Sequence, residues 1–312
     1  MARYLVTGAA GFVGANLVRS LVGKGTVFCT THPKDNLWRL NDIKKKISLI
    51  PLDLADFDAV RRAVKNIKPD YIFHLAAYGT YPSQQNFRQI FNANTLGTAN
   101  LLEALNPLPY KAFVMTGSSS EYGYKSKPMK ESEVLEPNSF YSATKGAATL
   151  IAQAYGSVEH KPTLILRLFS IYGPWEEPGR FIPTAIAKCL RGNTVKVTGG
   201  KEVRDFVYIE DTIAALLLAA KKATRLRGQI FNIGSGKQMK ITDAAKKIVK
   251  IIGTDAKIAI GDFPTRPWDA TTSWQADTRK SRTMLGWRPT TSFDQGIKKT
   301  AAWIRDHKGF YR

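Results

Sequence analysis

Cysteines are few in this 312-residue sequence, and long apolar runs are absent. The two cysteines, Cys29 and Cys189, lie far apart and fit neither a zinc nor a redox motif, so we expect reduced thiols and no metal site. No apolar run reaches the length of about 18 residues that crosses a membrane, and the N-terminus shows no secretory signal. These absences predict a cytoplasmic protein without membrane segments.

Acidic residues are also scarce, because 25 Asp and Glu face 46 Lys and Arg and leave a net charge of +21. Such a charge suits either a nucleic-acid binder or a basic enzyme that attracts an anionic substrate. The cations are spread along the chain, and their short clusters, such as Lys44–Lys46, are typical of solvated helix faces and helix ends. No arginine-rich tail or nucleic-acid motif accompanies them. We therefore expect no nucleic-acid partner.

Short apolar segments alternate with amphipathic ones over the first two-thirds of the chain. This alternation predicts an α/β fold with a Rossmann-type, doubly wound parallel sheet. After Tyr172 the pattern becomes less regular, which indicates a smaller C-terminal α/β domain for substrate binding. We expect the nucleotide-binding domain at 1–172, with 205–236 returning to it, and the substrate-binding domain mainly at 173–312. The predicted strands are 4–7, 27–30, 49–51, 71–75, 112–116, 163–168 and 230–233, and the predicted helices include 13–21, 57–66, 89–105, 241–252 and 293–305.

A glycine-rich loop joins the first predicted strand to the first predicted helix. Gly8, Gly11 and Gly14 are spaced so that the backbone can turn tightly, approach a pyrophosphate and then pack the helix against the strand. The N-H groups at the start of the helix, around Phe12 and Val13, would face the phosphates. The loop predicts a dinucleotide cofactor site.

The end of the second predicted strand lacks the carboxylate that normally binds the adenosine ribose of NAD. The sequence there reads Thr31, His32 and then Lys34, with no acid before Asp35. A site that lacks negative charge and has a cation nearby suits the 2′-phosphate of NADP. We therefore expect Thr31 and His32 to contact the cofactor, and NADP(H) to be favoured over NAD(H).

Tyr141 and Lys145 lie four residues apart, on one face of a predicted helix. Moving a hydride to a carbonyl requires a proton donor, and the reverse reaction requires a base. A nearby ammonium group favours the phenolate, and a serine hydroxyl can hold the carbonyl oxygen. Ser118 and Ser119 follow a buried strand and can supply that hydroxyl. Ser118, Tyr141 and Lys145 are therefore the catalytic candidates.

With these motifs the chain resembles the extended short-chain dehydrogenase/reductases, the NAD(P)-dependent sugar epimerase/dehydratase group. The likeness covers nearly the whole length and includes the Arg-Leu-Phe-Ser-Ile-Tyr-Gly-Pro and Arg-Asp-Phe-Val-Tyr segments that begin at 167 and 204. It implies a nucleotide-diphosphate sugar as substrate and a homodimer formed by helices 89–105 and 139–156. By the same resemblance, the cofactor-binding residues are Asp53, Leu54, Leu75, Ala76, Ala77, Asn94, Tyr141 and Lys145, and the substrate-binding residues are Tyr78, Ser119, Ser170, Arg204 and Arg266. His74 is interpreted as structural.

The serine-rich turn helps to choose among the reactions of this family. It reads Ser118-Ser119-Ser120-Glu121 and lacks the Asp-Glu pair that dehydratases of the family place after the catalytic Ser or Thr. The absence of this pair disfavours a 4,6-dehydratase. The turn instead resembles that of the 4-keto-6-deoxy-sugar reductases. Our first hypothesis is an NADPH-dependent 4-ketoreductase with Tyr141 as proton donor. The alternatives are a C4-epimerase with tightly bound NAD and a catalytically idle dinucleotide-binding scaffold.

Overall fold

The computed structural model describes residues 1–199, 202–262 and 273–311. Its main sheet has seven strands, namely β1 (Arg3–Thr7), β2 (Thr26–Thr31), β3 (Ser48–Pro51), β4 (Tyr71–His74), β5 (Ala112–Ser118), β6 (Thr163–Leu168) and β10 (Ile230–Ile233). Their order across the sheet is β10-β6-β5-β4-β1-β2-β3. The pairs β1–β2, β1–β4, β2–β3, β4–β5 and β5–β6 are parallel. The predicted α/β fold with a Rossmann-type parallel sheet is therefore confirmed.

The strand order reverses beside β1, because β2 and β3 lie on one side of it and β4, β5 and β6 on the other. Right-handed crossovers then place the helices of the two halves on opposite faces of the sheet. The helices of this part are α1 (Phe12–Leu21), α2 (Phe57–Ile67), α3 (Phe87–Phe91), α4 (Gly97–Leu105) and α5 (Phe140–Ser157). One face of the sheet carries a core of residues from α2, α4 and α5, which include Val60, Leu101, Leu102 and Ala148.

The predicted helix 89–105 is interrupted in the structure. Between α3 and α4 the chain forms a π-helical turn, Asn92–Leu96, in which an extra residue widens the helix. Such turns redirect the side chains within them, and here the turn contains Asn94. The periodicity of the sequence does not reveal this irregularity, because one inserted residue leaves the apolar pattern on each side intact.

The chain folds as two compact units. The first comprises residues 1–123, 134–168 and 213–231, and the second comprises 124–133, 169–212 and 232–312. The assignment of cofactor binding to one part and substrate binding to the other stays a prediction. None of the described helices is both long enough and apolar enough to cross a membrane.

The less regular region contains further strands and helices. They are β7 (Ser170–Tyr172), α6 (Phe181–Leu190), β8 (Val195–Val197), β9 (Val203–Tyr208), α7 (Ile209–Lys222), β11 (Gln238–Lys240), α8 (Ile241–Ile252), β12 (Ile258–Ile260) and α9 (Phe293–Asp306). The sequence pattern did not indicate α6 or α7. Helix α6 contains Pro183 as its third residue, where proline is tolerated because the N-H of the first turn has no helical acceptor. Helix α7 follows β9 directly, with no turn residue between Tyr208 and Ile209.

Two glycines fix the turn from β1 into α1. Gly8 has a φ of +66°, and a Cβ there would lie 2.7 Å from the backbone N and Cα of Ala76. A Cβ on Gly14 would lie 2.2 Å from the carbonyl oxygen of Gly8. Since backbone atoms cannot move aside as side chains do, both positions require glycine.

Substituting Gly14→Ala should lower the free energy of unfolding by about 1–3 kcal/mol, because the new methyl group overlaps backbone atoms. Gly179→Ala is the matched control, since a Cβ there meets no atom within 4 Å. Urea denaturation of both variants measures the difference. Equal stability of the two variants would contradict the close packing inferred at Gly14.

Candidate active site

The carboxyl edge of the main sheet brings together predicted cofactor residues of the first unit and the predicted catalytic residue Ser118. Gly8, Thr31, Leu75 and Ser118 lie at or directly after the ends of β1, β2, β4 and β5, and Asp53 and Leu54 follow β3. Parallel strands end at one edge, so residues far apart in sequence meet there. The sequence motifs predicted this grouping because each motif follows a strand.

The start of α1 is suited to bind a phosphate group. Gly11 caps the helix without a side-chain hydrogen bond, and the first N-H groups, including those of Phe12 and Val13, have no acceptors within the helix. Gly11 is exposed, and a Cβ there would have only the carbonyl oxygen of Gly8 as a close neighbour, at 3.2 Å. That contact is tight, although milder than those at Gly8 and Gly14. The exposed backbone at Gly11 leaves room for an approaching pyrophosphate, so the loop fits a dinucleotide.

A chain of hydrogen bonds ties the glycine loop to the next strand. The hydroxyl of Thr7 lies 2.7 Å from Nδ1 of His74 and accepts hydrogen bonds from the N-H groups of Leu75 and Ala76. Nε2 of His74 lies 2.8 Å from the hydroxyl of Thr98, which donates to the carbonyl of Asn94. Because the Thr98 hydrogen is used there, Nε2 must be the donor and Nδ1 the acceptor.

His74 is therefore a neutral structural residue. It is buried, and burial lowers the pKa of its imidazole to about 3, with a smaller contribution from the charge of Lys145. A neutral ring keeps one donor and one acceptor, which this chain of hydrogen bonds requires.

Asn94, in the π-helical turn, connects the segment after β4 with helix α5. Its side-chain carbonyl accepts from the N-H of Tyr78, and its amide donates to the carbonyl of Tyr78 and to the hydroxyl of Thr144. The residue is completely buried. Its side chain thus holds Tyr78 and the helix of Tyr141 in place, and the predicted direct contact with the cofactor stays a prediction.

Helix α5 presents Tyr141 in its first turn and Lys145 one turn later. The helix begins after Ser139, whose hydroxyl accepts from the N-H of Ser142 in a capping box. Lys145 is only 2% exposed, and its Nζ donates to the carbonyl of Thr116 at 2.6 Å. Burial lowers the pKa of Lys145 to about 8, while the negative charge of Glu121 opposes the shift. The lysine therefore stays mostly charged at neutral pH.

Ser118 ends β5 and begins the short 3-10 turn Ser119–Tyr122. Its hydroxyl accepts from the N-H of Ser120 at 3.1 Å, which leaves the hydroxyl hydrogen for a second partner. A carbonyl oxygen of a substrate can be that partner. Ser119, its neighbour, is buried within the turn.

The one carboxylate of the serine turn does not face a substrate. Glu121 is 0% exposed and forms an ion pair with Arg167, from Oε2 to Nε at 2.7 Å. Its Oε1 accepts from the N-H of Ser118 at 2.7 Å and from the hydroxyl of Thr149 at 3.0 Å. Glu121 therefore cannot replace the missing dehydratase pair as an exposed acid or base.

A carboxylate does reach the end of β2, although the sequence pattern indicated none there. Asp35 closes a turn with His32, in which the N-H of Asp35 donates to the carbonyl of His32 at 2.9 Å. In return, Oδ2 of Asp35 accepts from the N-H of His32 at 2.8 Å. Pro33 occupies the second position of this turn, where proline is favoured, and this was the signal available in the sequence.

Asp53 contributes a second carboxylate to the same region, since its Oδ2 lies 4.0 Å from Nε2 of His32.

Another residue that the sequence did not indicate is the buried Arg39, whose Nη1 donates to the carbonyl of Ala10 inside the glycine loop. Leu54 packs against Gly97, where a Cβ would approach its side chain to 2.8 Å.

In the second unit, Ser170 begins β7 and Arg204 lies on the adjacent strand β9. The guanidinium of Arg204 lies 5.5 Å from the ring centre of Trp274 and donates to the carbonyl of Val203. Both residues stay predicted substrate contacts. Arg266 lies outside the described residues.

Asp205, beside Arg204, organises the neighbouring loops of the second unit. Its two oxygens accept from the N-H groups of Ser235, Gly236 and Ala276 and from the hydroxyl of Ser235. Burial raises its pKa to about 6, opposed by these hydrogen bonds. The Arg-Asp-Phe-Val-Tyr motif thus carries a structural carboxylate next to the arginine predicted to bind substrate.

Comparison with known proteins places this site among enzymes of nucleotide sugars. The chain is 31% identical to a UDP-glucuronate 4-epimerase of Thermodesulfobacterium geofontis, over 98% of this chain and 97% of that protein. It is 28% identical to the human dTDP-D-glucose 4,6-dehydratase, over 98% of this chain and 90% of that protein.

Two solved structures of nucleotide-sugar epimerases share the fold over nearly their full length. The UDP-glucose 4-epimerase of Thermotoga maritima, solved with UDP-glucose, has a TM-score of 0.89 at 27% identity, over 98% of this chain and 99% of that one. The UDP-glucuronic acid 4-epimerase of Bacillus cereus, solved with UDP-glucuronic acid and NAD, has a TM-score of 0.85 at 27% identity, over 97% of this chain and 99% of that one.

A family model matches residues 4–234, which cover the glycine loop, the serine turn, the Tyr141–Lys145 pair and the Arg204 segment. The resemblance drawn from the sequence motifs is confirmed. This protein belongs to the NAD dependent epimerase/dehydratase family.

Proposed function

We propose that this protein is a C4-epimerase of a UDP-linked sugar that works with retained NAD, and that UDP-glucuronate is the first substrate to test. The observation that carries the proposal is the position of Asp35 at the end of β2. A carboxylate there binds ribose hydroxyls and repels a 2′-phosphate, so it favours NAD over NADP. The expected preference for NADP(H) had supported the reductase, alongside the likeness of the serine turn to that of the reductases.

The relatives support the same choice. Two of those compared are 4-epimerases acting on UDP-glucuronate, and the relative from Bacillus cereus was solved with NAD. The comparisons favour the epimerase alternative over the 4-ketoreductase that was our first hypothesis. The buried position of Glu121 argues against a dehydratase, because elimination of water needs an acid and a base that can reach the sugar.

In this proposal the side chains of the first unit manage the proton at the sugar C4 oxygen. The phenolate of Tyr141 first accepts the proton of the C4 hydroxyl. After the oxidised sugar has turned its other face to the cofactor, the phenol of Tyr141 returns the proton to the C4 oxygen. Lys145, charged and buried, favours the phenolate. Ser118 donates a hydrogen bond to the C4 oxygen as it becomes a carbonyl. When bound, NAD supplies the acceptor and later the donor of the C4 hydride.

The glycine loop, Asp35 and the segment Leu75, Ala76 and Ala77 would hold the cofactor. Retention of the cofactor suits an epimerase, because the hydride must return to the same sugar.

We expect the purified protein with NAD to convert UDP-glucuronate into its C4 epimer, and Tyr141→Phe to lower the rate by about 10²–10⁴-fold, because the proton acceptor is lost. The matched control is Tyr155→Phe, near the other end of the same helix. The assay uses UDP-glucuronate with deuterium at C4 and follows the products by NMR. In an epimerase the product keeps the deuterium and no NAD(P)H is consumed.

Stoichiometric oxidation of deuterium-labelled NADPH on a nucleotide-linked 4-keto-6-deoxy sugar, with deuterium delivered to C4, would instead identify a reductase. Full activity of Tyr141→Phe would exclude the proposed proton transfer.

Cofactor choice gives a separate test. Asp35→Asn should weaken NAD binding about tenfold, because a hydrogen bond to a charged group contributes about 1.5–3 kcal/mol, and it should weaken NADP binding less or not at all. The control is Asp58→Asn, an exposed carboxylate in the first turn of α2. Isothermal titration calorimetry with both cofactors measures the ratio. An unchanged NAD-to-NADP preference in Asp35→Asn would contradict the assigned role.

We also propose that two copies of the chain associate through an exposed apolar face on α3 and α5. Phe87, Phe91, Phe140 and Leu150 are all exposed, and the rings of Phe87 and Phe140 lie 4.9 Å apart. On α5, the positions that share this face at helical spacing are small and uncharged: Ala143, Ala147 and Ala154. Large contiguous apolar patches of this kind mark protein interfaces.

Leu150→Glu should therefore convert a dimer into a monomer, because it introduces a charge into the apolar contact. Light scattering during size-exclusion chromatography measures the mass of each species. The control is Val134→Glu, an exposed apolar residue outside these helices. A wild-type protein that elutes as a monomer would refute the proposed interface.

A further inference from the structure

A buried carboxylate of the second unit holds together two segments that are distant in sequence. Asp205, on β9, is 0% exposed. Its Oδ1 accepts from the N-H and from the hydroxyl of Ser235, both at 2.6 Å. Its Oδ2 accepts from the N-H of Gly236 at 3.0 Å and from that of Ala276 at 2.9 Å. One side chain therefore fixes the loop after β10 and the segment 273–277 at the same time.

A carboxylate is the group that these donors require. Its burial costs hydration, which the hydrogen bonds must offset. A carboxylate has acceptor positions on both oxygens and no donor, whereas an asparagine would turn its amide hydrogens toward two of the four donors. Gly234 leaves the space for this group, because a Cβ there would lie 2.9 Å from Oδ2 of Asp205. A neutral side chain of the same shape therefore cannot join the two segments equally well.

Further hydrogen bonds fix the segment 273–277 to the same loop. The N-H of Trp274 donates to the side-chain carbonyl of Gln238 at 2.8 Å. The side-chain amide of Gln275 donates to the carbonyl of Gly236 at 2.7 Å. The backbone that carries Trp274 is therefore held at several points, and the buried carboxylate is the charged member of this network.

Trp274 lies beside the arginine that precedes this carboxylate in the chain. Cζ of Arg204 is 5.5 Å from the centre of the Trp274 ring, a distance at which a cation is attracted to an aromatic face. Nη1 of Arg204 also donates to the carbonyl of Val203 at 2.8 Å. The ring and this carbonyl together orient a planar group of the kind that binds phosphates through paired hydrogen bonds.

We propose that Asp205 is a positioning residue, which holds Trp274 beside Arg204 and so orients the guanidinium to bind the diphosphate of the substrate. The inference rests on the proposed function, because it takes a UDP-linked sugar as the substrate and Arg204 as one of its contacts. A side chain that is already oriented loses less conformational entropy when the ligand binds. Asp205 therefore raises the affinity for the substrate and leaves the rate of hydride transfer unchanged.

Binding of UDP to the whole protein tests the proposal without catalysis. Asp205→Asn should weaken UDP binding about tenfold, because the carboxylate no longer joins the two segments, and should leave NAD binding unchanged. The matched control is Asp211→Asn, since Asp211 is a buried carboxylate of the same unit that accepts from the N-H groups of Thr290 and Thr291. Isothermal titration calorimetry measures both ligands. An unchanged UDP affinity in Asp205→Asn, or an equal loss in Asp211→Asn, would overturn the proposal.

A cycle of double variants distinguishes positioning from general support of the fold. Arg204→Gln removes the guanidinium and should itself weaken UDP binding. Because Asp205 acts through Arg204, adding Asp205→Asn to Arg204→Gln should change the UDP affinity less than about twofold. A further tenfold loss in the double variant would show that Asp205 supports the fold in general, and would refute the proposal.

Substitutions of Trp274 test the contact with the guanidinium. Trp274→Leu should weaken UDP binding about threefold, and Trp274→Phe should weaken it less, because phenylalanine keeps an aromatic face. Equal UDP affinities in these two variants and the wild type would refute the role of the ring. If Asp205→Asn fails to fold, Ser235→Ala replaces it in the cycle with Arg204→Gln. Ser235→Ala removes one hydrogen bond from the carboxylate and should weaken UDP binding about twofold only while Arg204 is present. An unchanged affinity would refute the proposal.

Kinetics separate this inference from the proposed function. In Asp205→Asn the KM for UDP-glucuronate should rise about tenfold while kcat changes less than about twofold, because Tyr141, Lys145 and Ser118 belong to the first unit. A fall in kcat with an unchanged KM would refute the positioning role. Absence of epimerase activity in the wild type would refute the proposed function, while calorimetry with UDP would still decide the role of Asp205. A wild type that does not bind UDP would refute both.

Discussion

The neutral imidazole of His74 makes the contacts on which the geometry at the carboxyl edge of the main sheet depends. It joins Thr7, at the end of β1, to Thr98 on helix α4, and Thr7 in turn fixes the two N-H groups that follow β4. Each bond in this chain has one possible direction. A protonated ring would leave Thr7 facing a further donor, so the neutral form that burial favours preserves these hydrogen bonds.

The same edge contains two buried charged side chains, Lys145 and Glu121, in different surroundings. Lys145 is buried and donates to the carbonyl of Thr116, whereas Glu121 is buried in an ion pair with Arg167. The serine turn can offer hydroxyl groups to a sugar, but no carboxylate. This arrangement suits hydride transfer at one carbon and does not suit elimination of water, which supports the proposed epimerase over a dehydratase.

Local motifs made much of this fold predictable. The strands of the main sheet and the helices α1, α2, α5, α8 and α9 follow the periodicity of the chain closely, because each buries a face that its own sequence pattern defines. Prediction failed where local rules mislead. The irregular pattern after Tyr172 did not reveal α6, which holds Pro183 in its first turn, and the π-helical turn around Asn94 leaves no trace in the apolar spacing.

The sequence by itself determined the family, the glycine loop and the pairing of Tyr141 with Lys145, because these depend on residues close together along the chain. Only the tertiary structure decided what Asp35 and Glu121 do. A turn carries Asp35 back to the end of β2, where its carboxylate accepts from the N-H of His32 and, in our proposal, favours NAD. Arg167, 46 residues further along the chain, holds Glu121 inside the protein. The role of a carboxylate depends on which groups surround it, and those groups come from distant segments that only folding brings together.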